Sequence, residues 1–130
     1  MNPKMANKGA GHLYEKVAFD ERQLASDGYG NTEAGFAEIF SCRAGFTYLR
    51  GSEAVIAARL EGRQPIVVRV RATPDTRQIL PDWRMRDLQN GTWEDSGETV
   101  WSGPVYAVRS TAESEDRQWI DVMVESGVAA

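Results

Sequence analysis

The sequence predicts a mainly β chain, a small antiparallel β-barrel or sandwich carrying one short α-helix and a long inserted hairpin or flap. Two stretches carry that prediction. QPIVVRVRATP, residues 64–74, and RQWIDVMVES, residues 117–126, alternate with the period of two that puts apolar groups on one strand face and polar groups on the other. A single stretch, GSEAVIAARLEG, switches to helical spacing. No strand–helix–strand alternation accompanies it, which argues against a nucleotide-binding α/β fold.

One domain accounts for all 130 residues: a polar arm over residues 1–12, then a barrel over residues 13–127. HLYEKVAF sets Leu13, Glu15, Val17 and Phe19 against Tyr14, Lys16 and Ala18 and reads as the first strand. DERQLASDGYGNT ends it as a polar connection whose Asp27-Gly28 and Tyr29-Gly30 pairs favour sharp turns. EAGFAEIFSCRAGF, residues 33–46, is rich enough in aromatic and β-branched residues to form the second strand, bent near Gly45.

The helix is expected at about residues 52–61. Ser52 suits the N-cap, Glu53 places a carboxylate at the positive end of the helix dipole, and Gly62 can adopt the left-handed stop conformation. A helix of roughly three turns is marginal alone in water, so its apolar side, with Ile56 and Leu60, is expected to lie on the sheet. Pro65 admits the next strand and Pro74 closes it; Ile66, Val68 and Val70 take its inner face, Val67, Arg69 and Arg71 its outer face.

DWRMRD, GPVYAVRS and RQWIDVMVES supply the remaining strands, the last with Ile120, Val122 and Val124 alternating against Trp119, Asp121, Met123 and Glu125. Between them lies DLQNGTWEDSGETVW, residues 87–101. It is polar and acidic, and it carries Asn90-Gly91, a strong hairpin-turn dipeptide, so it reads as an extended hairpin or flap.

The net charge is −4 and the pI about 5.0, so the average surface repels phosphate and any nucleic-acid contact must be local. Cys42 is the single cysteine, which removes an intramolecular disulfide and any thiolate cluster. No apolar run follows the lysines of the arm and none approaches the roughly 20 residues of a membrane span. The expectation is a soluble, unexported protein with no membrane contact, assembled in the cytoplasm.

Residue chemistry points away from catalysis. His12 is the only histidine and lies beside the arm, so neither a nucleophile–His–Asp set nor a multi-His metal site can form within one chain. Cys42 falls in a strand and reads as a small buried hydrophobe. Asp82, Asp87, Glu94, Asp95 and Glu98 lack the regular spacing of a calcium loop and read as a solvated flap. GAG and DGYG lack the strand, helix and lysine of a phosphate loop. No catalytic residue, metal site or cofactor is expected.

Trp83, Trp93, Trp101, Tyr106 and Trp119, with Arg84, Arg86 and Arg109 near them, suit either a stacking surface for single-stranded nucleic acid or the core and subunit contacts of an assembly. The interleaved carboxylates favour the second.

In order and spacing, LYEKVAF, the turn DGYG, the linker and helix LRGSEAVIAARLEG, the strand IVVRVRATPD and the tail GPVYAVRSTAESEDRQWIDVMVESG resemble the phage head–tail joining family. These are the small head-completion (stopper) or head–tail adaptor proteins of long-tailed phages and gene transfer agents. The resemblance covers most of Leu13 to Gly127 and departs at residues 88–102, an insertion where the family passes quickly to its Gly-aromatic strand.

The resemblance implies a virion protein of the head–tail connector that turns over no substrate. It implies a homo-oligomeric ring, dodecameric in number, beneath the portal and its adaptor ring. Such a ring closes the head, holds back packaged double-stranded DNA without reading its bases, and offers a surface to the tail terminator or tail tube. A terminator or adjacent connector ring, and a free-standing nucleic-acid-binding barrel, are the alternatives.

A ring needs different patches to meet between neighbours, so charges should be segregated. Arg69, Arg71, Arg84, Arg86, Trp93, Glu94, Asp95 and Trp101 are the expected contact residues, with Arg69 and Arg71 meeting carboxylates of a neighbour. Related stoppers use the connection near residues 43–63 as a plug, which puts Arg43, Tyr48, Arg50 and Glu53 at the channel.

Overall fold

The computed structural model describes residues 13–26, 32–49, 53–60, 62–95 and 99–126. Its elements are β1 (Glu15–Ser26), β2 (Thr32–Tyr48), α1 (Glu53–Leu60), β3 (Gln64–Arg71), β4 (Arg84–Asp87), β5 (Thr92–Asp95), β6 (Thr99–Ser102), β7 (Val105–Glu113) and β8 (Trp119–Ser126), with a 3-10 turn at Thr76–Gln78. Six strands close a barrel in the order β1-β2-β3-β8-β7-β4, all neighbours antiparallel. β5 and β6 pair separately as a two-stranded sheet, the predicted flap. The mainly β class, one short helix among the described residues and the hairpin are as the sequence predicts.

The strands form where alternation is strictest. Ile66, Val68 and Val70 of β3 and Ile120, Val122 and Val124 of β8 are buried and face one another across paired registers. Val17 and Phe19 of β1, Met85 of β4 and Tyr106 and Val108 of β7 complete the core, with Trp83 and Ile79 at its margin. Phe40 stacks on Phe19 at 5.3 Å, and Phe46 meets Tyr106 edge-on at 6.3 Å. Burial of this set out of water is the main stabilising term, because closure leaves the interior no solvated face.

Several expectations need correction. β1 does not stop at Phe19. It runs on through Asp20–Ser26 as a ribbon with β2, because cross-strand pairing from Asp20↔Glu38 to Ser26↔Thr32 satisfies the backbone of a stretch expected as a connection. The irregularity in this pair lies at Ile39, which the register skips between Glu38 and Phe40. Gly45 instead marks the point where β2 changes neighbour, from β1 up to Ala44 to β3 from Gly45 onward.

The helix begins and ends as expected, with Glu53 in its first turn and Gly62 in the left-handed conformation at φ +84°. Ile56 and Leu60 do not lie on the sheet. Ile56 is 47% and Leu60 84% exposed, because the barrel closes on itself and needs no helical cover. Ser52, like the arm and DGYG, lies outside the described residues.

Asn90-Gly91 sits at the base of the β5–β6 hairpin and not at its tip. There the chain entering the hairpin crosses the chain leaving it. A Cβ on Gly91 would meet the Trp101 ring and would lie 2.6 Å from Ser102 O and 2.9 Å from Gly103 Cα; a Cβ on Gly103, at φ +154°, would lie 2.6 Å from Gly91 Cα. The glycines permit close backbone approach.

Two substitutions separate core from surface. Phe19→Ala lowers unfolding stability by about 3–5 kcal/mol in urea titration, whereas Leu60→Ala changes it by no more than about 0.5 kcal/mol. A loss above about 1 kcal/mol from Leu60→Ala would place that side chain against the barrel.

Candidate functional site

Arg86 stands on the outer side of the wall. It pairs with Ala18 and alternates with the inward Met85, yet it is only 1% exposed. Its Nε and Nη2 donate to the two oxygens of Asp20 at 2.8 and 3.0 Å, and Nη2 also donates to Glu38. Arg84 adds a second donor to Asp20 at 2.6 Å. Asp20 and Glu38 sit opposite each other on β1 and β2, a like-charge pairing that repels unless a cation lies between them.

The hairpin supplies the burial. Trp93 and Trp101, opposite each other on β5 and β6, meet edge-on at 5.4 Å, and the Arg86 guanidinium lies 4.8 and 4.9 Å from their ring centres. Burial disfavours the charged form, but hydrogen bonds to Asp20 and Glu38 and the charge of those carboxylates more than offset it, holding Arg86 above its ordinary range. Nη1 is buried without a partner among the described residues. Phe36 carries Arg22 and Arg84 over its ring at 4.8 and 4.5 Å, anchoring the ribbon beside this cluster.

The outer face of β3 and β8 is a second charged surface. Arg69 donates from Nε and Nη2 to Asp121 directly opposite it, at 2.8 and 2.9 Å, and these bonds raise its pKa further above the usual range. Its carboxylate partner is therefore in its own chain. Arg71 is exposed and lies 5.5 Å from the Trp119 ring centre. Glu125 serves both Arg63 and Arg109, and Arg77 pairs with Glu113, so most of this face is internally neutralised.

A groove of about 380 Å³ opens beside it, lined by Leu13, Phe40, Ser41, Cys42 and Arg43 on one side and Arg71, Thr73, Asp75 and Thr76 on the other. It exists because β2 and β3 pair over only four residues, Gly45↔Arg69 to Tyr48↔Ile66. Beyond them the strands separate. Thr76 Oγ1 donates to Arg71 O at 2.6 Å and accepts from Thr73 N–H at 2.8 Å, which fixes the far wall. Among the described residues, neither Arg43 nor Arg71 has a carboxylate at salt-bridge distance.

Of the residues proposed from sequence, the structure brings Arg84, Arg86, Trp93 and Trp101 together in one cluster and Arg43 and Arg71 at one groove. Glu94 is exposed on the hairpin face opposite Trp93; Asp95 belongs to β5; Tyr48 and Glu53 are exposed and stand apart from both clusters; Arg50 lies outside the described residues. Arg86 has no surface to offer a neighbour while the hairpin covers it. Sequence reasoning missed Asp20 and Glu38, which read as connection and strand polar residues; the signal was an acidic residue in register with the arginines of DWRMRD, visible only once β1 is known to pair with β4.

The aromatic set is divided. Trp83, Tyr106 and Trp119 are buried, and Trp101 faces Arg86, leaving Trp93 as the exposed member at 52%. They form no shared stacking platform. Cys42 is packed against the core, and burial first, then the charge of Asp75, pushes its thiol up to about 11. Among the described residues no group of three or more His, Cys, Asp or Glu could hold a metal ion, and no helix is long and apolar enough to cross a membrane.

The family model described as "Phage head completion protein" matches residues 9–127. A search among curated proteins returns no match. Among solved structures, the solution structure of protein SF1141 from Shigella flexneri 2a is similar, with a TM-score of 0.62 and 13% identity over 95% of this chain and 100% of that one. At that identity the likeness shows the fold alone.

Arg86→Ala leaves Asp20 buried with its remaining partner on one side only and is expected to cost about 3–5 kcal/mol. Near-ultraviolet circular dichroism should lose the Trp93–Trp101 signal in the same variant; a full signal would mean that the hairpin does not depend on the cation. For Cys42, alkylation by iodoacetamide should keep rising about tenfold per pH unit toward pH 11, where an ordinary thiol levels off near pH 9. An early plateau would mean an exposed thiol.

Proposed function

The chain belongs to the phage head completion protein family, and from that premise we propose that it is the ring-forming head-closure protein, the stopper, which retains packaged DNA and presents the tail attachment surface. Family membership makes it a structural component of the virion, acting at the connector in contact with other head or tail proteins. The family match over residues 9–127 carries the reading.

Two features of the chain support the step from connector component to ring. The β1–β2 ribbon beyond Asp20 is paired to nothing but itself among the described residues, and a two-stranded ribbon of that kind is marginal in water without something to lie on. Tyr48, Ile56 and Leu60 each leave apolar surface uncovered. A neighbouring copy covers both without any new fold. The net charge of −4 fits a conduit past which DNA slides without tight phosphate contact.

Deleting the gene in the producing phage and imaging the products tests this. Closure by a stopper predicts tailless heads that have lost their DNA, beside free finished tails. Abnormal tail ends or lengths, with filled and stable heads, would assign the protein to the tail terminator instead.

A further inference from the structure

The barrel is closed by an incomplete seam. Between Glu38 and Ala44 one edge of β2 pairs with β1, and among the described residues no strand pairs with the other edge, because β3 joins only at Gly45. That edge forms one wall of the groove. An exposed row of backbone donors and acceptors is a template for an added strand.

The β5–β6 hairpin has the complementary lack. Among the described residues, each of its strands pairs only with the other. Trp93 and Trp101 turn one face onto Arg86, so Glu94, next in β5, stands exposed on the opposite face. On β2, Arg43 is likewise exposed, the neighbour of the half-buried Cys42, and Arg71 rises from the other side of the groove.

We propose that the groove between β2 and β3 is a strand-addition site that receives the β5 edge of the hairpin from a second copy of this chain, with Glu94 of that copy set between Arg43 and Arg71. The inference rests on the ring reading above and specifies its contact. The occupant is a second copy for two reasons. The hairpin is acidic, with Glu94, Asp95 and Glu98 in one short stretch, and the groove's outer rim carries two cations against the single carboxylate of Asp75.

The chain's own hairpin, moreover, is held on the wrong side of the barrel. It is clamped over β4, and β1 lies between β4 and β2, so it cannot reach the far edge of β2 without leaving Arg86. One copy thus carries a receiving edge and a donating edge on different sides, the heterologous arrangement that closes into a ring.

Complementing a deletion phage with charge variants tests the contact. Arg43→Glu alone and Glu94→Lys alone should each lower the yield of tailed, infectious particles about tenfold or more through like-charge juxtaposition; the double variant Arg43→Glu/Glu94→Lys should recover to within about threefold of the unaltered chain. Both positions are exposed, so each purified variant should keep the parent's melting temperature. In a Cys42→Ala chain, Arg43→Cys combined with Glu94→Cys should give a ladder of disulfide-linked multimers on oxidised heads, where either cysteine alone gives none beyond a dimer.

Failure of the double variant to recover, or heads that accept tails yet yield no ladder, would overturn the contact while leaving the ring reading intact. Copies that never join heads in any variant, the unaltered chain included, would overturn the ring reading and this contact with it.

Discussion

A guanidinium is placed on the outside of a barrel wall and then sealed from water, and the rest of the molecule is arranged around that fact. Asp20 and Glu38 face each other across β1 and β2, where two carboxylates repel. Arg86 reaches from β4 and answers both, tying three strands through one side chain. Among the described residues the hairpin makes no ladder with the barrel, and it is held over it by two indole rings and by the close glycine crossing at its base. A planar, permanently charged fork with flat hydrophobic faces fits that role where a lysine would not. An Nη1 with no partner among the described residues is the cost.

Closure of the barrel is economical elsewhere. Eight residue pairs join β3 to β8, whereas four join β2 to β3. The strong seam carries the alternating valines and isoleucines and makes the interior dry; the weak one leaves a groove and an unpaired edge. Closing the barrel with its own strands also frees the helix from covering the sheet, which is why its apolar residues meet solvent in a single copy. The features proposed to connect this chain to neighbours are the ones its own core does not use.

Much of the architecture was readable from the residues in order. β3 and β8 follow from strict alternation, the helix from its change of period and its flanking Ser and Gly, and the inserted hairpin from a polar, acidic stretch bounded by strands. The errors share a cause. DERQLAS carries no apolar alternation, so its strand character depends on pairing with β2 and could not be seen locally. Asn90-Gly91 has turn chemistry, but the backbone uses those residues to cross Gly103. Ile56 and Leu60 have the spacing of a buried face, and only the closed barrel decides that nothing among the described residues buries them.

The sites divide in the same way. Types and approximate positions of the charged and aromatic residues are properties of the sequence, and so is the family to which it belongs. Which carboxylate meets which arginine is not. Arg69 finds Asp121 because β3 and β8 are in register, Arg86 finds Asp20 because β1 pairs with β4 in the register Ala18↔Arg86 and Asp20↔Arg84, and Arg43 joins Arg71 because β2 and β3 part company beyond Gly45. Periodicity along a chain sets which face a side chain takes, since it depends on backbone geometry within a few residues. Register between strands distant in sequence depends on the packing of the whole barrel, and only the folded structure settles it.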